Sequence, residues 1–364
     1  MAKRVGVDKW LFGTVLLLVL FGLVTVFSAS AVMAKDQTGS PYHYMIRQGL
    51  WALGGLFALL VLMKVDYRRY NNPRVVFPCV AVTILLLVGV FAVPGSHHTH
   101  RWIRFGAFST FQPSELAKPT IILFLAWFLQ TRLHRMDDYR GTILRAVGPP
   151  LLLIALILKE PDLGTALVCA GLLVVMLYLA GMQMRYLGIG FLCSLPVLGY
   201  MLFFVPWRLA RMRVFLNPEA DPRGAGFHIL QSLIAVGTGG IRGLGLMEGR
   251  QKLFYLPEPH TDFIFANVCE ELGLIGALLL ICLFVAFAYR GLRAAYLSTD
   301  PFARFLAFGI TTAVLIQAFF NMSVVVALLP TKGITLPFIS FGGTSLFVTL
   351  ASMGVLLNIT RDID

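Results

Sequence analysis

The sequence predicts an all-α polytopic membrane protein of about ten transmembrane helices, with one long extracytoplasmic loop between helices 7 and 8. Three observations carry that prediction. The chain has 364 residues, 58% of them hydrophobic and only 13% charged, with a mean hydropathy of +0.80. A soluble domain cannot bury that much apolar surface. Uncharged runs such as Trp10–Ala34, Val75–His100, Leu163–Met184, Tyr186–Trp207, Phe305–Thr331 and Gly333–Thr360 can each cross a hydrocarbon core of about 30 Å. None shows strand alternation, so helices rather than a barrel satisfy the backbone in lipid.

In chain order the expected spans are about 10–32, 46–64, 75–95, 114–131, 143–158, 163–180, 186–206, 262–289, 305–329 and 338–359. They form one transmembrane domain over 1–364, with the long loop at about 207–261. Basic residues concentrate in alternate connections, including Lys3, Arg4, Lys64, Arg68, Arg132, Arg135, Arg290 and Arg293. That bias places both termini in the cytoplasm. The first span follows Lys3, Arg4 and Lys9 but is longer than a signal-peptide core, so it reads as retained.

The net charge of +12 does not point to nucleic acid, because Lys and Arg are scattered among short loops. Cys79, Cys169, Cys193, Cys269 and Cys282 all lie in expected spans without CxxC spacing and read as small buried hydrophobes. No P-loop, GxSxG or HExxH pattern is present. His97, His98 and His100 have no accompanying Cys or paired carboxylate, so a metal site there is disfavoured.

Charge inside apolar spans is costly and marks function. It occurs in span four (Glu115, Lys118), span five (Lys159, Glu160, then Asp162) and span eight (Asp262, Glu270, Glu271), always at the outer end. Such groups should face one another or a watery cavity. Glu115 and Lys118 are i,i+3 neighbours that can pair. On a helix, Asp262 and Cys269 share a face, Glu270 is offset by roughly 80° and Glu271 points away, so Glu271 reads as structural. The long segment Arg208–Thr261 is rich in Gly and Arg, with an apolar piece, Phe227–Val236, expected to lie in the membrane interface. Its arginines, Arg211 among them, suit phosphate oxygens. Trp102 and Phe105 beside Arg101 and Arg104 fit an interfacial anchor in which the arginines meet an anionic headgroup. The last outer connection, between Pro330 and Gly343, should be a non-helical or re-entrant link, with Lys332 its only charge.

Five ordered motifs then converge: FQPSELAK (111–118), EPDLGT (160–165), FLNPEADPRGAGFHILQSLIAVGTGGIRGLGL (215–246), LPEPHTDFIFANVCEELGLIG (256–276) and LPTKGITLPFISFGGTSL (329–346). Together they resemble the SEDS family of bacterial cell-wall glycosyltransferases (shape, elongation, division and sporulation proteins) over nearly the whole chain. The run NMSVVVALLPTKGITLPFIS resembles the division branch, FtsW, more than the elongation branch, RodA. The resemblance implies an inverting peptidoglycan glycosyltransferase of the bacterial cytoplasmic (inner) membrane that polymerises lipid II at the outer face. It implies a class B penicillin-binding protein transpeptidase as partner, among other divisome or elongasome membrane proteins, and a divalent cation, Mg²⁺ or Mn²⁺, bridging substrate oxygens. Carried over by motif, Asp262 matches the family's essential acidic residue, Glu115 and Lys118 its polar pair, and Arg211 the arginine before the FLNP turn. Asp262 is the candidate catalytic base. Glu115, Lys118, Arg101, Arg104, Arg211 and Lys332 are the substrate-binding candidates. The runner-up readings are a lipid II flippase, which would need intramembrane charge reaching the midplane, and a non-enzymatic division scaffold, which would not need Asp262.

Overall fold

The computed structural model describes residues 6–92, 101–105, 109–133, 138–204, 206–222, 224, 226–253 and 255–363. Its helices are α1 (Lys9–Thr38), α2 (His43–Lys64), α3 (Pro73–Gly89), α4 (Pro113–Gln130), α5 (Leu144–Lys159) and α6 (Leu163–Leu179). They continue with α7 (Met184–Phe203), α8 (Pro206–Leu216), α9 (Phe227–Gly239), α10 (Ile264–Leu297), α11 (Pro301–Val325) and α12 (Gly343–Ile359). Among the described residues seven helical stretches are long and apolar enough to cross a membrane: α1, α2, Pro73–Ala92, Gly141–Lys159, α10, α11 and Gly343–Asp362. The chain is therefore a helical multi-pass membrane protein.

Helix starts follow local chemistry. The Asp8 carboxylate accepts from the Trp10 and Leu11 amides, opening α1. Asn72 and Asp300 cap α3 and α11, each followed by a proline in the first turn, where its missing N–H is harmless. Asp8 also receives the Arg290 guanidinium at 2.5 Å, and its amide donates to Thr360 Oγ1 at 3.2 Å. These contacts gather the start of α1, the end of α10 and the end of the chain at one end of the bundle. Asp262, just before α10, lies toward the other.

The structure adds to the sequence reading in three places. The connection before α4 holds a short hairpin: β1 (Ile103–Phe105) and β2 (Ser109–Phe111) pair antiparallel, Ile103 opposite Phe111. Three residues are too few to show a period of two in sequence. The long segment after α7 is not a loop at its start, because Arg208 and Arg211 stand on α8. The apolar piece expected to be a helix in the membrane interface forms α9, which packs on α10, burying Ile229, Ser232, Ala235 and Gly239 at helical spacing. Ser232 Oγ donates to the Val325 carbonyl of α11 at 2.7 Å.

α10 is broken at Gly273, whose φ is +65°. A break in a span exposes backbone groups that lipid cannot satisfy. Here the glycine-rich segment after α9 satisfies them. The Leu244 and Gly245 amides donate to the Glu270 and Glu271 carbonyls, both at 3.0 Å, and the Leu274 amide donates to the Gly240 carbonyl at 2.9 Å. This backbone-to-backbone approach tolerates no side chain: a Cβ on Gly273 would lie 2.3 Å from the Gly243 amide nitrogen. Gly273→Ala is expected to destabilise the fold by about 1–3 kcal/mol, read as a lowered thermal midpoint. A midpoint equal to the parent's would show that the break relaxes freely.

The carboxylates beside the break have fixed partners. Glu270 accepts the Arg250 and Gln251 amides at 2.8 and 3.1 Å. Glu271 accepts Lys252 Nζ at 2.5 Å, Ser28 Oγ at 2.5 Å and the Met247 amide at 3.2 Å. Glu271 is structural, in agreement with its expected helix face, and Glu270 joins it.

Candidate active site

The site is built around a tight turn. α5 ends at Lys159 and α6 begins at Leu163, so Glu160, Pro161 and Asp162 must reverse the chain. Asp162 caps α6, accepting from the Thr165 amide at 3.1 Å and from Thr165 Oγ1 at 2.8 Å. The same carboxylate receives Gln112 Nε2 at 3.0 Å and Ser114 Oγ at 3.3 Å, fastening the turn to the start of α4. Arg101 then docks on the turn's backbone: its Nε donates to the Glu160 carbonyl at 3.1 Å, and a terminal N–H2 donates to the Pro161 carbonyl.

The Glu160 side chain is fully buried, and neither oxygen has a hydrogen-bond partner among the described residues. Burial pushes its carboxyl up to about 8, with the neighbouring Asp162 charge adding to the rise and Arg101 opposing it. Burial without a partner thus favours the protonated form of Glu160.

Above the turn opens a cleft of about 490 Å³, counted to its mouth. Arg101, Asp162 and Gly164 form one wall, Arg208 and Arg211 of α8 another, and Lys332 and Gly333 of the α11–α12 link a third. Lys332 is partly buried, and desolvation, aided by nearby Arg208, lowers its ammonium to about 8. Cations thus outnumber carboxylates on the walls, which suits an anion with several negative oxygens.

Asp262 stands at the edge of this cleft. The structure places it in the turn just before α10, at the mouth of the helix expected there. A Cβ on Gly333 would lie 3.0 Å from its Oδ2, so the carboxylate presses on the cleft wall. Burial raises its carboxyl to about 7; Glu258 and Asp162 add to the rise, while Arg211 and Arg101 counter it. Such a group is poised to exchange a proton near neutrality.

Arg101, Arg211, Lys332 and Asp262 are therefore brought together. Glu115 and Lys118 are not in the cleft. They form a buried pair at 2.7 Å on α4, and Lys118 Nζ also donates to Gln317 Oε1 of α11 at 2.6 Å. Lys118 faces a separate, mainly apolar cavity with Ile122, Gln317, Thr349 and Met353. Arg104 lies on β1 opposite Thr110; its side chain, like His97, His98 and His100, falls outside the described residues. Glu160 and Asp162, marked in the sequence as charge at the outer end of span five but given no role there, and Arg208, one arginine of the long segment, join the site; the motif EPDLGT, an acid-proline-acid turn after a span, carries the signal for the first two. Among the described residues no cluster of three or more His, Cys, Asp or Glu side chains forms a cation cage.

The FtsW/RodA/SpoVE profile, described as a cell cycle protein, matches residues 8–363. The chain belongs to this family. It is 44% identical over 344 residues to a Geobacter metallireducens protein named "Probable peptidoglycan glycosyltransferase FtsW", covering 94% of this chain and 92% of that one. It is 40% identical over 362 residues to stage V sporulation protein E of Bacillus subtilis, covering 99% and 98%. Among solved structures, RodA of Thermus thermophilus superposes with a TM-score of 0.71 at 27% identity, covering 98% of this chain and 97% of that one. A chain from a peptidoglycan synthase complex that coordinates polymerization and crosslinking gives 0.78 at 28% identity, covering 98% of both. The family expected from the five motifs is thereby established, and the cleft lies inside the matched region.

Proposed function

We propose that this family member is a peptidoglycan glycosyltransferase that polymerises lipid II into β-1,4 glycan strands, working in cell division. It sits in the cytoplasmic membrane with ten spans, both termini inside and the cleft outside. One observation carries the reading: a carboxylate able to exchange a proton near pH 7 borders a cleft lined by Arg101, Arg211 and Lys332. The relatives named as peptidoglycan glycosyltransferases support it.

The chemistry follows from what each group can do. The 4-hydroxyl of one lipid-linked disaccharide attacks the anomeric carbon of another. The α-linked diphosphate departs and a β bond forms, so the centre inverts. Asp262 accepts the hydroxyl proton as the oxygen attacks. Arg101, Arg211 and Lys332 offset the charge that grows on the departing diphosphate. Arg101 suits this role because its Nε and one terminal N–H2 hold the α5–α6 turn, which orients the guanidinium toward the cleft in advance. A divalent cation, Mg²⁺ or Mn²⁺, arriving on the substrate would add positive charge at the same oxygens. No protein cage for it stands among the described residues, and the proton transfer above belongs to Asp262. A class B penicillin-binding protein is the proposed partner, supported by the match to a chain of a synthase complex.

Reconstitution with labelled lipid II and the partner transpeptidase tests the reading. Glycan polymer should form in vesicles that carry this protein, and none when the partner is alone. Label crossing the bilayer without polymer would replace the proposal with transport. Neither outcome, with the partner still recruited, would leave a scaffold.

A further inference from the structure

Asp262 has no helix of its own to hold it, because α10 begins two residues later. Lys332 lies on a link without regular structure. Two wandering segments cannot keep a base and a cation in register unless something rigid ties them. The ties come from α11. Asn321, 1% exposed, donates both N–H groups of its amide: one to the Asp262 carbonyl at 2.8 Å, the other to the Ile334 carbonyl at 2.7 Å. One helical turn earlier, Gln317 donates Nε2 to the Thr335 carbonyl at 2.9 Å and accepts Lys118 Nζ at 2.6 Å. Consecutive carbonyls of the link are thus each fixed to α11 by an amide. The second N–H of the Asn321 amide holds the Asp262 carbonyl; the oxygen of the Gln317 amide holds the Glu115–Lys118 pair.

A carboxamide suits this task. Its two donors are rigidly splayed, and buried loop carbonyls in a membrane protein need donors. Gly333, next to Ile334, is the residue against which the Asp262 carboxylate presses.

We infer that Asn321 and Gln317 are positioning residues, a two-rung amide rack on α11 that sets the spacing between Asp262 and Lys332 and joins the buried Glu115–Lys118 pair to it. The inference rests on the reading of Asp262 as the base and Lys332 as a diphosphate contact. It also gives Glu115 and Lys118 a place outside the cleft: they brace the rack and do not touch the substrate.

The test measures lipid II polymerisation by the full-length protein with its partner, over a range of pH, alongside thermal unfolding. Asn321→Leu removes both donors at similar size. It should lower kcat about 10- to 100-fold with KM within about threefold of the parent, since small misplacements of reacting groups have effects of that order. The acid limb of the pH profile should also move, because Asp262 shifts against Arg211 and Arg101. Gln317→Leu should lower kcat less, and the double variant should lose less than the product of the singles, as expected for residues that act as one rack. A folded Asn321→Leu protein with kcat within twofold of the parent would overturn the inference. So would a loss of kcat that tracks lost thermal stability with an unmoved pH profile. Should Asn321→Leu fail to fold, Asn321→Gln decides: it keeps the donors one methylene further out. Lowered kcat with a shifted acid limb supports the rack, and parental behaviour overturns it. Asp262→Asn in the same assay separates the two claims. If that variant polymerises normally, the base assignment fails; if it is dead while the α11 variants are normal, only the rack fails.

Discussion

Asp262→Asn is expected to slow lipid II polymerisation by about 10²–10⁴-fold while the protein remains folded. Asparagine keeps the size of the side chain and the hydrogen bond from Asn321, which goes to the backbone carbonyl. Only the proton acceptor is lost. The same group sets one limb of the pH dependence. A base works in its ionised form, and burial holds this carboxyl near 7, so kcat/KM should fall about tenfold per pH unit below that point. Lys332 works as a cation, and its ammonium is lowered to about 8, so a second limb should fall above that pH. The profile should therefore be a narrow bell. Lys332→Arg should carry the alkaline limb upward, since a guanidinium stays charged throughout. Steady-state rates between pH 5.5 and 9.5 would check this; a flat acid limb in the parent protein would contradict the assignment of Asp262.

The second large effect concerns stability rather than rate. Lys252 and Glu271 form an ion pair whose side chains are each 2% exposed. Removing one partner leaves a buried charge uncompensated, which costs about 3–5 kcal/mol. Lys252→Met should therefore lower the thermal midpoint sharply and open the segment from Gly240 to His260 to protease. Combining it with Glu271→Gln should recover much of the loss. The neutral amide can still accept the Met247 amide and engage Ser28 while no charge remains buried. A Lys252→Met protein as stable as the parent would show that the pair adds nothing to the docking of that segment.

These predictions depend unequally on what sequence alone discloses. Apolar runs of about 20 residues locate most helices, because lipid leaves the backbone no alternative. Asp262 is legible for the same reason: a carboxylate at the mouth of a span stands out. Its exact setting is not. The expected span begins at about 262 and α10 begins at Ile264, because the sequence TDFI carries no signal that separates a final turn from a first one. The non-helical link around Lys332 is legible from Pro330, Pro337, Gly333, Gly342 and Gly343. The break in α10 is not, because Gly273 is one glycine in an apolar run, and its reason lies some thirty residues away in the Gly240–Gly243 segment. Lys118 shows the limit in the other direction. Its charge inside a span marks it, but charge says nothing of direction, and the structure turns it toward Gln317 and away from the cleft. Asp162 is marked by its charge next to a span, but the sequence does not show that one carboxylate both caps α6 and faces the cleft.

The most direct measurement is a structure of the protein holding a non-reactive lipid-linked diphosphate sugar. The account predicts diphosphate oxygens within hydrogen-bond distance of Lys332 and of Arg101 or Arg211, with the Asp262 carboxylate facing the position of the incoming hydroxyl. A diphosphate bound outside this cleft, out of reach of Asp262, would contradict it.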